Sequence, residues 1–144
     1  MRDGHAYDYA VIRVVPQVAR EEFINAGVIV SCPARRYLAT RVALDDARLL
    51  ALSPGADLEM VRSHLAAFEA VARGGDEAGP IGALPPRQRF HWLIAPRSTV
   101  IQTSVAHTGW CHDPEQTIER LLREYVGASL PPSARGTGEL GGGA

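Results

Sequence analysis

The chain contains no lysine: all 15 of its basic residues are arginine. That absence removes several chemistries at once, because a Schiff-base lysine, a P-loop lysine and a kinase-type phosphate-anchoring lysine all need the missing ammonium. Cysteine is scarce as well. Cys32 and Cys111 are the only two in 144 residues, with neither a close pair nor the dense framework of small secreted domains, so a reducing cytoplasm is expected. No apolar run is long enough for a membrane span, and the first apolar stretch is broken by Arg13, so neither export nor insertion is expected. A basic surplus is missing too: 15 basic against 16 acidic residues give a net charge of −1. General nucleic-acid binding is therefore disfavoured, since displacing counterions from phosphates calls for an excess of positive charge.

What is present is the composition of an ordinary globular domain, 46% hydrophobic and 22% charged. A chain of this size buries ~70% of the surface it would expose unfolded, so its fold needs neither a metal nor disulfides. Abundant alanine and glycine, with lysine replaced throughout by arginine, suggest a GC-rich genome.

Tyr7 to Val15 alternates with apolar groups on both faces and stops at Pro16, which predicts a central strand. Arg20 to Asn25 reads as one helical turn or an irregular connection, and Gly27 permits a redirection before a strand over Val28–Cys32. Ala34 to Arg36 then turns into a third strand, Tyr37–Val42. Asp45 and Asp57 are expected to cap two helices: a short one carrying Leu49, Leu50 and Leu52, and a longer one whose Leu58, Val61, Leu65, Phe68 and Ala72 recur at helical spacing. Asp76 to Pro86 reads as a mobile surface loop. Phe90, Trp92 and Ile94 alternate like a strand, and Thr99–Val105 like another. The last helix has a clear start, with Asp113 as cap, Pro114 in first position and Gln116 completing a capping-box-like pair. These elements predict a single α+β domain over residues 7–127, a mostly antiparallel sheet of about five strands with two main helices packed on it. Residues 1–6 are expected to be a flexible N-terminus and residues 128–144 a disordered Pro/Gly-rich tail.

Five stretches carry a further likeness. Tyr9-Ala10-Val11-Ile12-Arg13-Val14-Val15-Pro16 is followed by Arg20-Glu21-Glu22-Phe23-Ile24-Asn25-Ala26-Gly27-Val28-Ile29; farther on come Ala95-Pro96-Arg97-Ser98-Thr99-Val100-Ile101-Gln102, His107-Thr108-Gly109 and Asp113-Pro114. Together they resemble the bacterial family known as domain of unknown function 3037. The resemblance brings no activity and no catalytic residue. It implies a partner, because members look to be encoded often beside a kinase-like protein related to bacterial persistence toxins.

The residues offer several candidate sites. Arg97, Ser98, Thr99, Gln102, Ser104 and His107 lie near the start of the last helix, where an arginine fork, hydroxyls and free amides suit a phosphate or carboxylate; in the plainer reading they pair with an acid and satisfy a turn. Glu21, Glu22 and Asn25 could join His107 in acid/base or hard-metal chemistry, but Arg13 in an apolar strand wants a carboxylate, and Glu21 or Glu22 is at hand. The ligand-binding candidates are thus Glu22, Asn25, Arg97, Ser98, Thr99, Gln102 and His107. His107, Cys111 and His112 match no zinc spacing and lack an obvious fourth ligand. Cys111 precedes a helix start, but Asp113 opposes a thiolate there, and Cys32 is expected to be packed. Gly136 to Gly141 fits a dinucleotide-loop pattern without the flanking strand and helix. No metal or cofactor is expected. With no coherent catalytic motif, enzymic activity stays open and disfavoured. The leading expectation is a non-enzymatic accessory or protein-interaction domain, acting in the cytoplasm with the kinase-like partner that the resemblance implies. The alternative is a small enzyme or binding protein for a phosphorylated or anionic ligand around Arg97, Ser98 and His107. A nucleic-acid reading would need Arg35, Arg36, Arg41, Arg87 and Arg89 on one face.

Overall fold

Alternation of apolar residues on both sides of a strand demands a covering layer on each face, and the fold supplies two. A computed structural model describes residues 4–127. Five strands, β1 (His5–Val14), β2 (Ile24–Cys32), β3 (Tyr37–Val42), β4 (Ile101–Thr103) and β5 (His107–Cys111), form one antiparallel sheet. β1 is its spine. Along one side it pairs with β2, which in turn pairs with β3; along the other it meets β4 at Ile12–Val14 and β5 at His5–Tyr9. The strand therefore starts two residues before the expected domain boundary. The expected tail, residues 128–144, lies outside the described residues.

One face carries α1 (Asp46–Leu52), α2 (Leu58–Arg73) and α3 (Pro86–Leu93), which bury Leu49, Val61, Leu65, Phe68, Phe90 and Leu93 against Ile12, Val14, Ile24 and Ile29. The other carries only α4 (Pro114–Tyr125), whose Ile118, Leu121 and Leu122 pack on Tyr7, Val28, Val30 and both cysteines. Asp45, Asp57 and Asp113 cap as expected, each side chain accepting from a first-turn amide at 3.0–3.1 Å. Among the described residues, no helix is long and apolar enough to cross a membrane.

β2 contains Gly27 instead of beginning after it. The register slips there: Ile12 faces Gly27 while Arg13 faces Asn25, leaving Ala26 as a bulge. The extra residue reverses parity, so Ile24 and Ala26 enter the α1–α3 core while Val28, Val30 and Cys32 enter the α4 core. Glycine is needed because a Cβ at position 27 would come within 2.5 Å of the Arg41 carbonyl oxygen.

Two expectations are corrected. Phe90, Trp92 and Ile94 are not a strand: Pro86 stands at the first position of α3, and Phe90 and Leu93, three apart, share its buried side. Asp76 to Pro86 is not a loose loop, since Asp76–Ala83 forms 3₁₀ turns whose Ala78 and Ile81 pack on the core. Arg89, which is buried, ties these segments together. Its Nη1 donates to the Val71 and Ala72 carbonyls at 2.8 and 2.7 Å and its Nε to the Leu84 carbonyl at 2.9 Å, satisfying orphan carbonyls at the end of α2.

Candidate functional site

The seven residues singled out from sequence separate in space. Glu22 is exposed and pairs with Arg20, whose Nε lies 2.9 Å from it. Asn25 sits in β2 and donates its Nδ2 to the Tyr125 carbonyl at 3.0 Å, pinning the end of α4 to the sheet. Thr99 Oγ1 donates to the Ile101 carbonyl, and Gln102 Nε2 to the Thr99 carbonyl. His107 faces Tyr9 across β5 and β1, the two rings 5.2 Å apart.

Arg97, Ser98 and Gln102 do converge, and on a partner that local sequence reasoning assigned elsewhere. They line a cavity of about 300 Å³ with Arg13, Val15, Val18, Glu21 and Phe23. The pairing of β1 with β4 places Gln102 directly opposite Arg13. The expected ion pair between Arg13 and Glu21 or Glu22 is not formed: among the described residues Arg13 has no carboxylate partner. Its guanidinium lies 4.4 Å from the centre of the Phe23 ring, and its Nε is covered without a hydrogen-bond partner. Arg97 is built in more firmly. Nη1 donates to the Leu93 and Ala95 carbonyls and Nη2 to the Trp92 carbonyl, closing the end of α3 with three of its five donors. Burial pushes its pKa below the usual arginine value. Glu21, the only carboxylate among the described residues of this lining, has a left-handed backbone (φ 58°), uncommon for a residue with a side chain.

A second feature lies at the other end of β1. β5 forms the sheet margin there, and its Trp110 is 59% exposed, with Val105 just before it 75% exposed. On the inner surface of this margin, Tyr7 lies over Gly109, Tyr9 stacks beside it, and Tyr9 shares a 2.9 Å hydroxyl contact with Tyr125. That hydrogen bond, reinforced by burial, pushes the Tyr9 pKa up to about 12. Neighbouring Asp8 would be raised by burial alone, but hydrogen bonds from Thr108 and Arg87 hold it below the ordinary value.

The remaining candidates have structural places. Cys32 and Cys111 are free, buried thiols, and burial, then the neighbouring Cys111, pushes the Cys32 thiol up. Among the described residues, no three His, Cys, Asp or Glu side chains gather to hold a metal. The five arginines of the nucleic-acid reading do not form a common face: Arg89 is buried, Arg87 pairs with Asp8, Arg41 with Glu119, and Arg35 donates to the His112 carbonyl.

An antiparallel sheet clad by three helices on one face and one on the other, with a small basic cavity at one end of its spine and an open margin at the other, defines a single α+β domain with two separate surface features. The chain belongs to the family described as protein of unknown function DUF3037, which matches residues 9–126. No curated protein and no solved structure matches it.

Proposed function

We propose that this protein is a non-enzymatic interaction domain, acting in the cytoplasm, which receives an extended segment of a partner protein along β5. One observation carries the reading: among the described residues β5 has a strand on one side only, and the exposed Trp110 stands on it. Sheet margins are normally blunted by charge, proline or a covering element. The β5 sequence, His-Thr-Gly-Trp-Cys, contains no acid, arginine or proline. An added strand would take affinity from main-chain hydrogen bonds and specificity from side chains set against Trp110 and Val105, and exposed tryptophan is a common energetic anchor at interfaces.

A non-enzymatic role is supported by the engagement of Asn25, Arg97, Thr99 and Gln102 in hydrogen bonds to backbone carbonyls. Two free buried thiols suit a reducing compartment. The kinase-like protein implied by the family resemblance is the first partner to try. Co-expression and co-purification with it should yield a complex, and Trp110→Ala should weaken that complex about thirtyfold, the scale of a central interface anchor. Recovery of the chain alone, or equal capture by Trp110→Ala, would sink the reading.

A further inference from the structure

Among the described residues, Arg13 is a partly buried charge of the sheet with neither an ion-pair nor a hydrogen-bond partner. Its neighbours along β1, Ile12 and Val14, are fully buried, and its partner across β4 is Gln102. The nearby acids leave it unpaired, because Glu22 is engaged by Arg20 and Glu21 makes no ion pair with it. Phe23 holds the guanidinium from one side, which fixes its plane but satisfies none of its donors. The covered Nε is a cost the fold carries, whereas the two Nη groups are not enclosed and, among the described residues, make no hydrogen bond, so they remain free to donate to a group in the cavity that Arg13 lines.

We infer that the cavity between Arg13 and Arg97 binds the oxyanion group, carboxylate or phosphoryl, of a small molecule. Arg13 supplies the planar donor fork suited to such a group, and Arg97 adds positive charge from a position rigidly held by three carbonyl bonds. Ser98 and Gln102 put a hydroxyl and an amide on the same lining. Among the described residues of the lining, two guanidiniums against the carboxylate of Glu21 leave a surplus of one positive charge, which matches a singly charged group better than a doubly charged one. Val15, Val18 and Phe23 form an apolar wall, so the oxyanion belongs to a molecule with some apolar body. His107 takes no part: it faces Tyr9, four positions away along β1 from Arg13.

Titrating the full chain with benzoate and, separately, with inorganic phosphate tests this, followed through the backbone amide signals of Ser98 and Gln102. At least one probe should produce saturable shifts at both amides. Stronger binding of benzoate identifies a carboxylate with an apolar body, and stronger binding of phosphate a phosphoryl group. Arg13→Gln should weaken binding about tenfold, while Glu21→Gln should strengthen it, most for phosphate. Ser98→Ala, on the cavity lining, should weaken binding and leaves the interior of β1 untouched should Arg13→Gln fail to fold. Absence of saturable shifts with both probes, or affinity unchanged in Ser98→Ala and in folded Arg13→Gln, would overturn the assignment.

Discussion

The two faces of the sheet handle their aromatic residues in opposite ways. All four tyrosines, Tyr7, Tyr9, Tyr37 and Tyr125, belong to the face covered by α4, while Phe68 and Phe90 fill the face covered by α1, α2 and α3. The difference follows from depth. Three helices and a 3₁₀ segment make a layer thick enough to close over Phe90, which is only 1% exposed. A single helix leaves its rim close to every ring beneath it, and a phenol suits that position because its ring packs inward while its hydroxyl reaches a partner near the edge. Tyr9 and Tyr125 bond to each other, and Tyr7 accepts from Arg120 Nη2 at 3.3 Å. The same contrast appears among the arginines: Arg89 is enclosed by backbone carbonyls on the thick side, whereas Arg120 on the thin side shares its charge with exposed Glu124.

The strongest way to probe this contrast is to remove a ring from the thick side. Phe90→Ala should destabilise the fold by about 3–5 kcal/mol, the usual cost of a phenylalanine-sized cavity that its surroundings cannot fill. Urea denaturation gives the measurement directly. A loss below about 1 kcal/mol would mean that α3 collapses readily onto the sheet, and the distinction between a thick and a thin layer would not hold.

The helices that open on a capping aspartate are legible in the sequence, and the one that opens on Pro85 is not. α4 declares itself through Asp113 and Pro114, and its apolar face is regular; α2 does the same through Asp57. β1 and β3 show their alternation plainly. α3 was masked because Phe90, Trp92 and Ile94 alternate like a strand in a run too short to separate the two periods, although Pro86 marks a helix start. β5 was hidden for another reason: four of its five residues are not buried, so its pattern lacks an apolar face, and His107 and Cys111 look more like ligands than like strand residues. In the basic cavity, Arg97, Ser98 and Gln102 could be picked out from their sequence grouping. Arg13 stands out in the sequence as a charge in an apolar strand, but its place beside Arg97 does not, because that depends on the β1–β4 register and on the chain reversal after α3, neither of which is written in local periodicity.

Alkaline pH offers a gentler discrimination between the faces, since all four tyrosines lie on the α4 side. Tyr9, held by its bond to Tyr125, and Tyr37, held by burial, both have pKa values pushed up to about 12 from an ordinary value of 10.0. The fold thus retains phenolic protons that the unfolded chain releases. Their contribution is complete below pH 10.0 and should be lost progressively as pH rises from there towards about 12. Unfolding midpoints measured across this window should fall, and should fall less steeply in a Tyr9→Phe, Tyr37→Phe double variant. Identical slopes would place the alkaline sensitivity outside these two rings.

The smallest effect is expected at Tyr37, the tyrosine that breaks the pattern of its own face. Its hydroxyl is buried and, among the described residues, has no hydrogen-bond partner, unlike those of Tyr7, Tyr9 and Tyr125. Removing an unsatisfied buried polar atom relieves its desolvation cost and leaves the ring packing in place. Tyr37→Phe should therefore be neutral or stabilising by up to about 1 kcal/mol, whereas Tyr9→Phe, which forfeits a formed bond, should destabilise by a similar amount. Opposite signs in the two variants, measured by the same denaturation experiment, would show that the thin face gains from a tyrosine only where its hydroxyl reaches a partner; a clear loss in Tyr37→Phe would mean that this hydroxyl is satisfied in solution and that Tyr37 is no exception.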